Sequence, residues 1–157
     1  MLKHILVPVD FSSASDAAVR LAAELAHGCG AEIDLLHVWD LPAPIAPHEI
    51  YVGPTFSKAA LDAIQQQSQT QLERVASDAR AKGAAVRQVT SLPASAYEVI
   101  VEEAERHKYD LIVVGTHSRK RLARFFIGSV AERVMRYAPC SVLVARQPEP
   151  CAPTTVE

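Results

Sequence analysis

The chain has 157 residues, of which 49% are hydrophobic and 22% charged, with a formal net charge of −2. That length suits one domain with one continuous core, and the near-balanced charge offers no general basic field for nucleic acid. No apolar run approaches the ~20 residues needed to cross a bilayer, and Met1-Leu2-Lys3-His4 leads into a strand pattern, not a signal peptide. The three cysteines, Cys29, Cys140 and Cys151, are too widely spaced for a disulfide framework or a zinc site. A soluble, cytoplasmic protein is expected, with no membrane or nucleic-acid partner.

Leu2 to Val9 is a short apolar run bounded by Asp10 and reads as a buried strand. Ser12 or Ser13 can cap the helix that follows, where Ala17, Ala18, Leu21, Ala22, Leu25 and Ala26 recur at helical spacing. Gly28 and Gly30 end it, and Ile33 to Trp39 is the second strand. Asp40 to Phe56 holds four prolines and one glycine and reads as a long loop. A long helix from about Ser57 to Lys82 carries Leu61, Ile64, Ser68, Leu72, Val75 and Ala79 on one stripe, and Gly83 stops it. Ala85 to Ser91 alternates apolar and polar residues, as an edge strand does. Pro93 and Ser95 open a third helix, and Ser95 with Glu98 has capping-box spacing. Leu111 to Gly115 is the fourth strand, Ser129 to Tyr137 the fourth helix and Ser141 to Ala145 the fifth strand. The proline-rich tail, residues 147–157, reads as disordered. Five strands alternating with four helices mean a doubly wound parallel sheet with helices on both faces.

The stretch between the fourth strand and fourth helix has the parts of a phosphate site. Gly115 ends the strand, a basic loop carries Arg119, Lys120, Arg121 and Arg124, and Gly128 and Ser129 open a helix. Glycine lets a backbone approach closely, and a helix N-terminus presents unpaired N–H groups with partial positive charge. Ser129 and Glu132 also have capping-box spacing, a local reading compatible with the first. No Walker-type loop, nucleophile elbow or paired-histidine metal motif occurs, so no catalytic set emerges. Cys140, at the mouth of the fifth strand, reads as a small hydrophobe.

On these residues the chain resembles the universal stress protein family, over Met1 to Arg146. The nucleotide-binding members carry G-x2-G-x9-G-[ST] after the fourth strand. Gly115, Gly128 and Ser129 match that motif, and Ser118 stands where its second glycine belongs. The resemblance implies the strand order 3-2-1-4-5, which brings Asp10 and Gly115 to one crevice at the topological switch point. It implies an ATP or other adenine-nucleotide site, with magnesium if any arriving on the phosphates. Pro8, Val9 and Asp10 end the first strand there. Asp10 faces the adenosine and the Val38 backbone the adenine. Val114, Gly115, Thr116, His117, Ser118 and Arg119 wrap the phosphates, with Gly128, Ser129 and Val130 at the helix start. It also implies a homodimer, paired through Val142, Leu143 and Val144 of the fifth strand, whose open edge invites pairing.

Plainer readings stand beside these. Asp10 suits a helix cap, Val38 a core valine, His117 an exposed loop histidine and the basic run a solvated loop. Three functions follow: a nucleotide-holding stress-response module without efficient catalysis, a family member acting through protein contacts alone, or a slow ATPase or nucleotidyl transferase.

Overall fold

The computed structural model describes residues 1–39, 58–93, 95–116 and 127–146. The loop Asp40 to Phe56, the phosphate-loop residues His117, Ser118 and Arg119 with the basic run to Arg124, and the tail from residue 147 lie outside the described residues.

The elements are β1 (His4–Pro8), α1 (Ser13–Cys29), β2 (Glu32–Trp39), α2 (Lys58–Ala81), β3 (Ala85–Pro93), α3 (Ala96–His107), β4 (Leu111–Gly115), α4 (Ser129–Tyr137) and β5 (Ser141–Ala145). All five strands are parallel, in the order β3-β2-β1-β4-β5, as the resemblance implied. Strand alternation divides the apolar side chains between two faces. Ile5, Val7, Ile33, Leu35 and Val113 meet Ala18, Ala22 and Ala26 of α1 and Leu72, Ala76 and Ala79 of α2. Leu6, Leu36 and Ile112 meet Ile100 and Ala104 of α3 and Val134 of α4. The alanines of α1 let that helix lie close to the sheet, since a methyl group occupies little of the gap. On α2 the buried stripe is Ser68, Leu72, Ala76 and Ala79, while Ile64 from the expected stripe is exposed. The buried face of α2 thus begins at Ser68 and covers only its later turns.

Pro93 ends β3 opposite Trp39 instead of opening α3. An edge strand tolerates a proline there because no further strand needs its missing N–H. Neither expected capping box forms. Ser95 is the N-cap of α3 but makes no side-chain cap, and Glu98 accepts from the Tyr97 hydroxyl at 2.8 Å. At α4 the N-cap is Gly128, so Ser129 already lies inside the helix, and Glu132 faces Arg136 one turn on, at 3.6 Å. Ser12 does cap α1, accepting the Ser15 N–H at 3.2 Å, and Gly30 closes its other end at φ 70°.

Candidate functional site

The sheet opens between β1 and β4. Their pairing is confined to Ile5–Leu111 and Leu6–Ile112, while β4 stays paired with β5 through Gly115 and β1 with β2 through Pro8. The two central strands therefore part toward their carboxyl ends. The cleft between them encloses a cavity of about 140 Å³.

Each wall has a local cause. Pro8, Val9 and Asp10 run off the end of β1 into the first turn of α1, which adds Ser12 and Ser15. Leu36 and Val38 come from β2, Ala96 and Ile100 from the start of α3, and Val114 and Gly115 from β4. Ile127 to Ala131 close the cleft with the start of α4.

Gly115 serves the helix next to it. A Cβ there would lie 2.4 Å from the Ala14 carbonyl oxygen and 2.8 Å from the Ser15 nitrogen, contacts no side chain tolerates. The missing side chain lets the first turn of α1 press against the end of β4. Gly128 is required for a different reason: its φ of 91° is disfavoured for any residue with a Cβ.

The two helix starts that face the cleft differ. At α1 a side chain caps the first turn. Ser12 Oγ accepts from Ser15 N–H, and the Ser12 N–H and hydroxyl both donate to Asp10 Oδ1, at 3.0 and 2.5 Å. Asp10 thus braces the cap, while Ser12 is the cap itself. At α4 the first intrahelical bond is Glu132 N–H to the Gly128 carbonyl, at 2.9 Å. The N–H groups of Ser129, Val130 and Ala131 precede it in the first turn, where a helix has no acceptor for them, and Gly128 has no side chain to supply one. All three residues line the cleft. Helix starts of this kind suit an anion, and Leu36, Val38, Ile100 and Val114 give the cleft an apolar lining.

Of the expected site residues, the fold gathers Pro8, Val9, Asp10, Val38, Val114, Gly115, Gly128, Ser129 and Val130 around one cleft. Thr116 is buried and its N–H donates to the Ala145 carbonyl at 3.1 Å, so it does not line this space. His117, Ser118 and Arg119 lie outside the described residues. Ser12, Ser15, Leu36, Ala96, Ile100, Ile127 and Ala131 line the cleft without having been expected there. Ser15 carried a signal, a polar residue on the buried face of an alanine-rich helix. Leu36, Ala96 and Ile100 carried none, because their periodicity is that of ordinary core. Among the described residues, no cluster of three or more His, Cys, Asp or Glu could hold a metal ion. No helix among them is long and apolar enough to cross a membrane.

Fold and site together define a doubly wound α/β domain with an anion-ready cleft at its topological switch point. The chain belongs to the universal stress protein family, whose model matches residues 1–146. A universal stress protein of Methanocaldococcus jannaschii is 32% identical over 151 residues, covering 95% of this chain and 85% of the relative. Universal stress protein UspA from Lactobacillus plantarum superposes with a TM-score of 0.66 at 28% identity, over 92% of this chain and 97% of that one. The universal stress protein from Archaeoglobus fulgidus, solved in complex with dAMP, shares the fold with a TM-score of 0.61 at 23% identity, over 92% of this chain and 98% of that one.

Proposed function

We propose that this chain is a stress-response module that holds an adenine nucleotide, ATP or AMP, in the cleft between β1 and β4, without efficient catalysis. The observation that carries this reading is the uncapped start of α4. Three N–H groups and a helix dipole face a cleft whose opposite end is apolar, which is the polarity of a nucleotide with its phosphates and base. Ser129 and Val130 would meet the phosphates, Asp10 the ribose hydroxyls and Val38 the base. The nucleotide bound to the Archaeoglobus relative is of the same chemical class. Magnesium would enter on the phosphates. His117, Ser118 and Arg119 belong to the same proposal as the phosphate loop, and the protein would act in the cytoplasm.

The open edge of β5, with Val142, Leu143 and Val144 half-exposed, supports a homodimer paired through that strand. Sedimentation at micromolar concentration is expected to give a dimer, and a monomer would overturn this part.

The nucleotide is tested by denaturing the purified protein, separating the released small molecules by anion exchange and titrating AMP and ATP by calorimetry. Saturable binding, weakened about tenfold or more in Asp10→Ala, is expected from the loss of a charged hydrogen-bond acceptor. No released nucleotide and no binding heat would sink the reading.

A further inference from the structure

The turn that carries Asp10 is held from outside, by a side chain the nucleotide reading does not use. His37 lies on β2, on the same face as Ile33 and Leu35, and is 8% exposed. Its Nδ1 is 2.7 Å from the carbonyl oxygen of Val9. A carbonyl can only accept, so Nδ1 carries the proton and donates. The ladder of β1 ends at Pro8, paired with Leu36, and the Val9 N–H still reaches the Leu36 carbonyl at 2.9 Å. Beyond that point the buried Val9 carbonyl is held by the His37 side chain.

The other side of Asp10 is held by the same ring. The Phe11 ring centroid is 4.4 Å from that of His37, with the planes tilted by 42°. Phe11 has φ 58°, a left-handed conformation that a bulky side chain adopts only under constraint. Among the described residues the only other non-glycine with positive φ is Lys108, a helix C-cap. Phe11 is no helix terminus; it reverses the chain between β1 and the cap of α1.

We propose that His37 is a positioning residue for the cleft: through the Val9 carbonyl and the Phe11 ring it fixes the turn that presents Asp10. The proposal rests on the nucleotide reading for its effect on affinity, but its effect on the turn is independent of any ligand. His37→Phe keeps an aromatic ring beside Phe11 and removes the donor. His37→Asn keeps a donor near the place of Nδ1 and removes the ring.

The experiment follows the Ser12 amide by NMR in the ligand-free protein, because that N–H donates to Asp10 Oδ1 and reports on the turn. The same variants are titrated with AMP and ATP by calorimetry. In His37→Phe the Ser12 amide is expected to shift and exchange faster, and affinity to fall about tenfold, the scale of one hydrogen bond. His37→Asn should recover most of both. Combined with Asp10→Ala, His37→Phe should weaken binding no further, since both act through one carboxylate. Tyr109→Phe, which removes a hydrogen bond at the far end of the sheet, serves as a variant with lowered thermal midpoint and unchanged affinity. An unmoved Ser12 amide, or losses from Asp10→Ala and His37→Phe that multiply, would overturn the assignment. If the unaltered chain binds neither nucleotide, the nucleotide reading fails by itself. The Ser12 amide then decides: a shift in His37→Phe reversed in His37→Asn upholds the positioning role, and its absence refutes it.

Discussion

The two ends of the sheet treat their polar groups in opposite ways. At the amino end two carboxylates gather the polar groups around them. Asp34, 3% exposed, accepts from Arg87 Nε at 3.1 Å, from a second Arg87 nitrogen and from the Tyr109 hydroxyl. Asp110 accepts the Lys3 and His4 N–H groups at 2.7 and 2.9 Å. The Tyr109 hydroxyl is pushed well above its ordinary value by burial and then by its bond to Asp34, and the Arg87 guanidinium is raised by its bond to the same carboxylate. At the carboxyl end the strands part, and among the described residues no side chain caps the first turn of α4. Strand polarity explains the contrast. In a parallel sheet every strand delivers the chain to the same end, where helices begin with unpaired N–H groups. Helices finish at the other end, where Gly30 and Lys108 close them with left-handed caps.

The largest test of that division is Asp34→Ala. Asp34 is buried while Arg87 is largely exposed, so the loss is mainly of hydrogen bonds to a charged acceptor and of the partner of the Tyr109 hydroxyl, about 2–3 kcal/mol, which lowers the thermal midpoint by roughly 4–12 °C for a chain of this size. Nucleotide affinity should not change. A parallel loss of affinity would show that the two ends are coupled.

Gly115→Ala probes the open end. The new Cβ must displace the Ala14 backbone, an overpacking that costs about 1–3 kcal/mol. Because the first turn of α1 carries Ser12 and Ser15, affinity should fall as well. Gly28→Ala is the control: nothing lies within 4 Å of its Cβ position, and a helical alanine should be neutral or stabilising by up to about 1 kcal/mol. Thermal melts with nucleotide titrations read both effects, and an unchanged affinity in Gly115→Ala would remove the close approach from the account of the site.

The smallest effect concerns acid. The Asp110 carboxyl is held below its ordinary value, first by the His4 N–H and then by the Lys3 N–H. A folded-state value below the unfolded one stabilises the protein above the unfolded value, near about pH 4, and this is lost as pH falls through the folded value. Asp110→Asn should lower stability slightly in the neutral region, where that contribution is present, and so flatten the acid limb of the stability–pH curve. Chemical denaturation from pH 2 to 6 measures it; an unaltered acid limb would remove Asp110 from the account of the closed end.

Much of this was legible in the residues. The apolar runs Ile5 to Val7, Leu35 to Leu36 and Ile112 to Val114 announce buried strands, and glycines and prolines punctuate them. Gly115 and Gly128 stood out as site residues, though the reasons differ from a phosphate's close approach: one admits a helix, the other adopts a positive φ. The capping boxes misled for two reasons: α4 takes Gly128 as its cap, one residue before Ser129, while Ser95 does start α3 but makes no cap bond and Glu98 accepts from Tyr97 instead. Ala96 and Ile100 were invisible as cleft residues, since a wall of a cleft and a wall of a core have the same pattern.

The sequence by itself determined the elements, their order and the alternation that makes a doubly wound sheet, because these follow from periodicity and turn chemistry within a few residues. Only the tertiary structure decided where the sheet opens, which helix starts carry a side-chain cap, that Asp34 finds Arg87 and Tyr109, and that His37 reaches the Val9 carbonyl. Asp34 and Arg87 are 53 residues apart, Asp34 and Tyr109 75, and His37 and Val9 28. No local pattern encodes such pairs; packing brings them together, and their energy is realised only once the chain has closed around them.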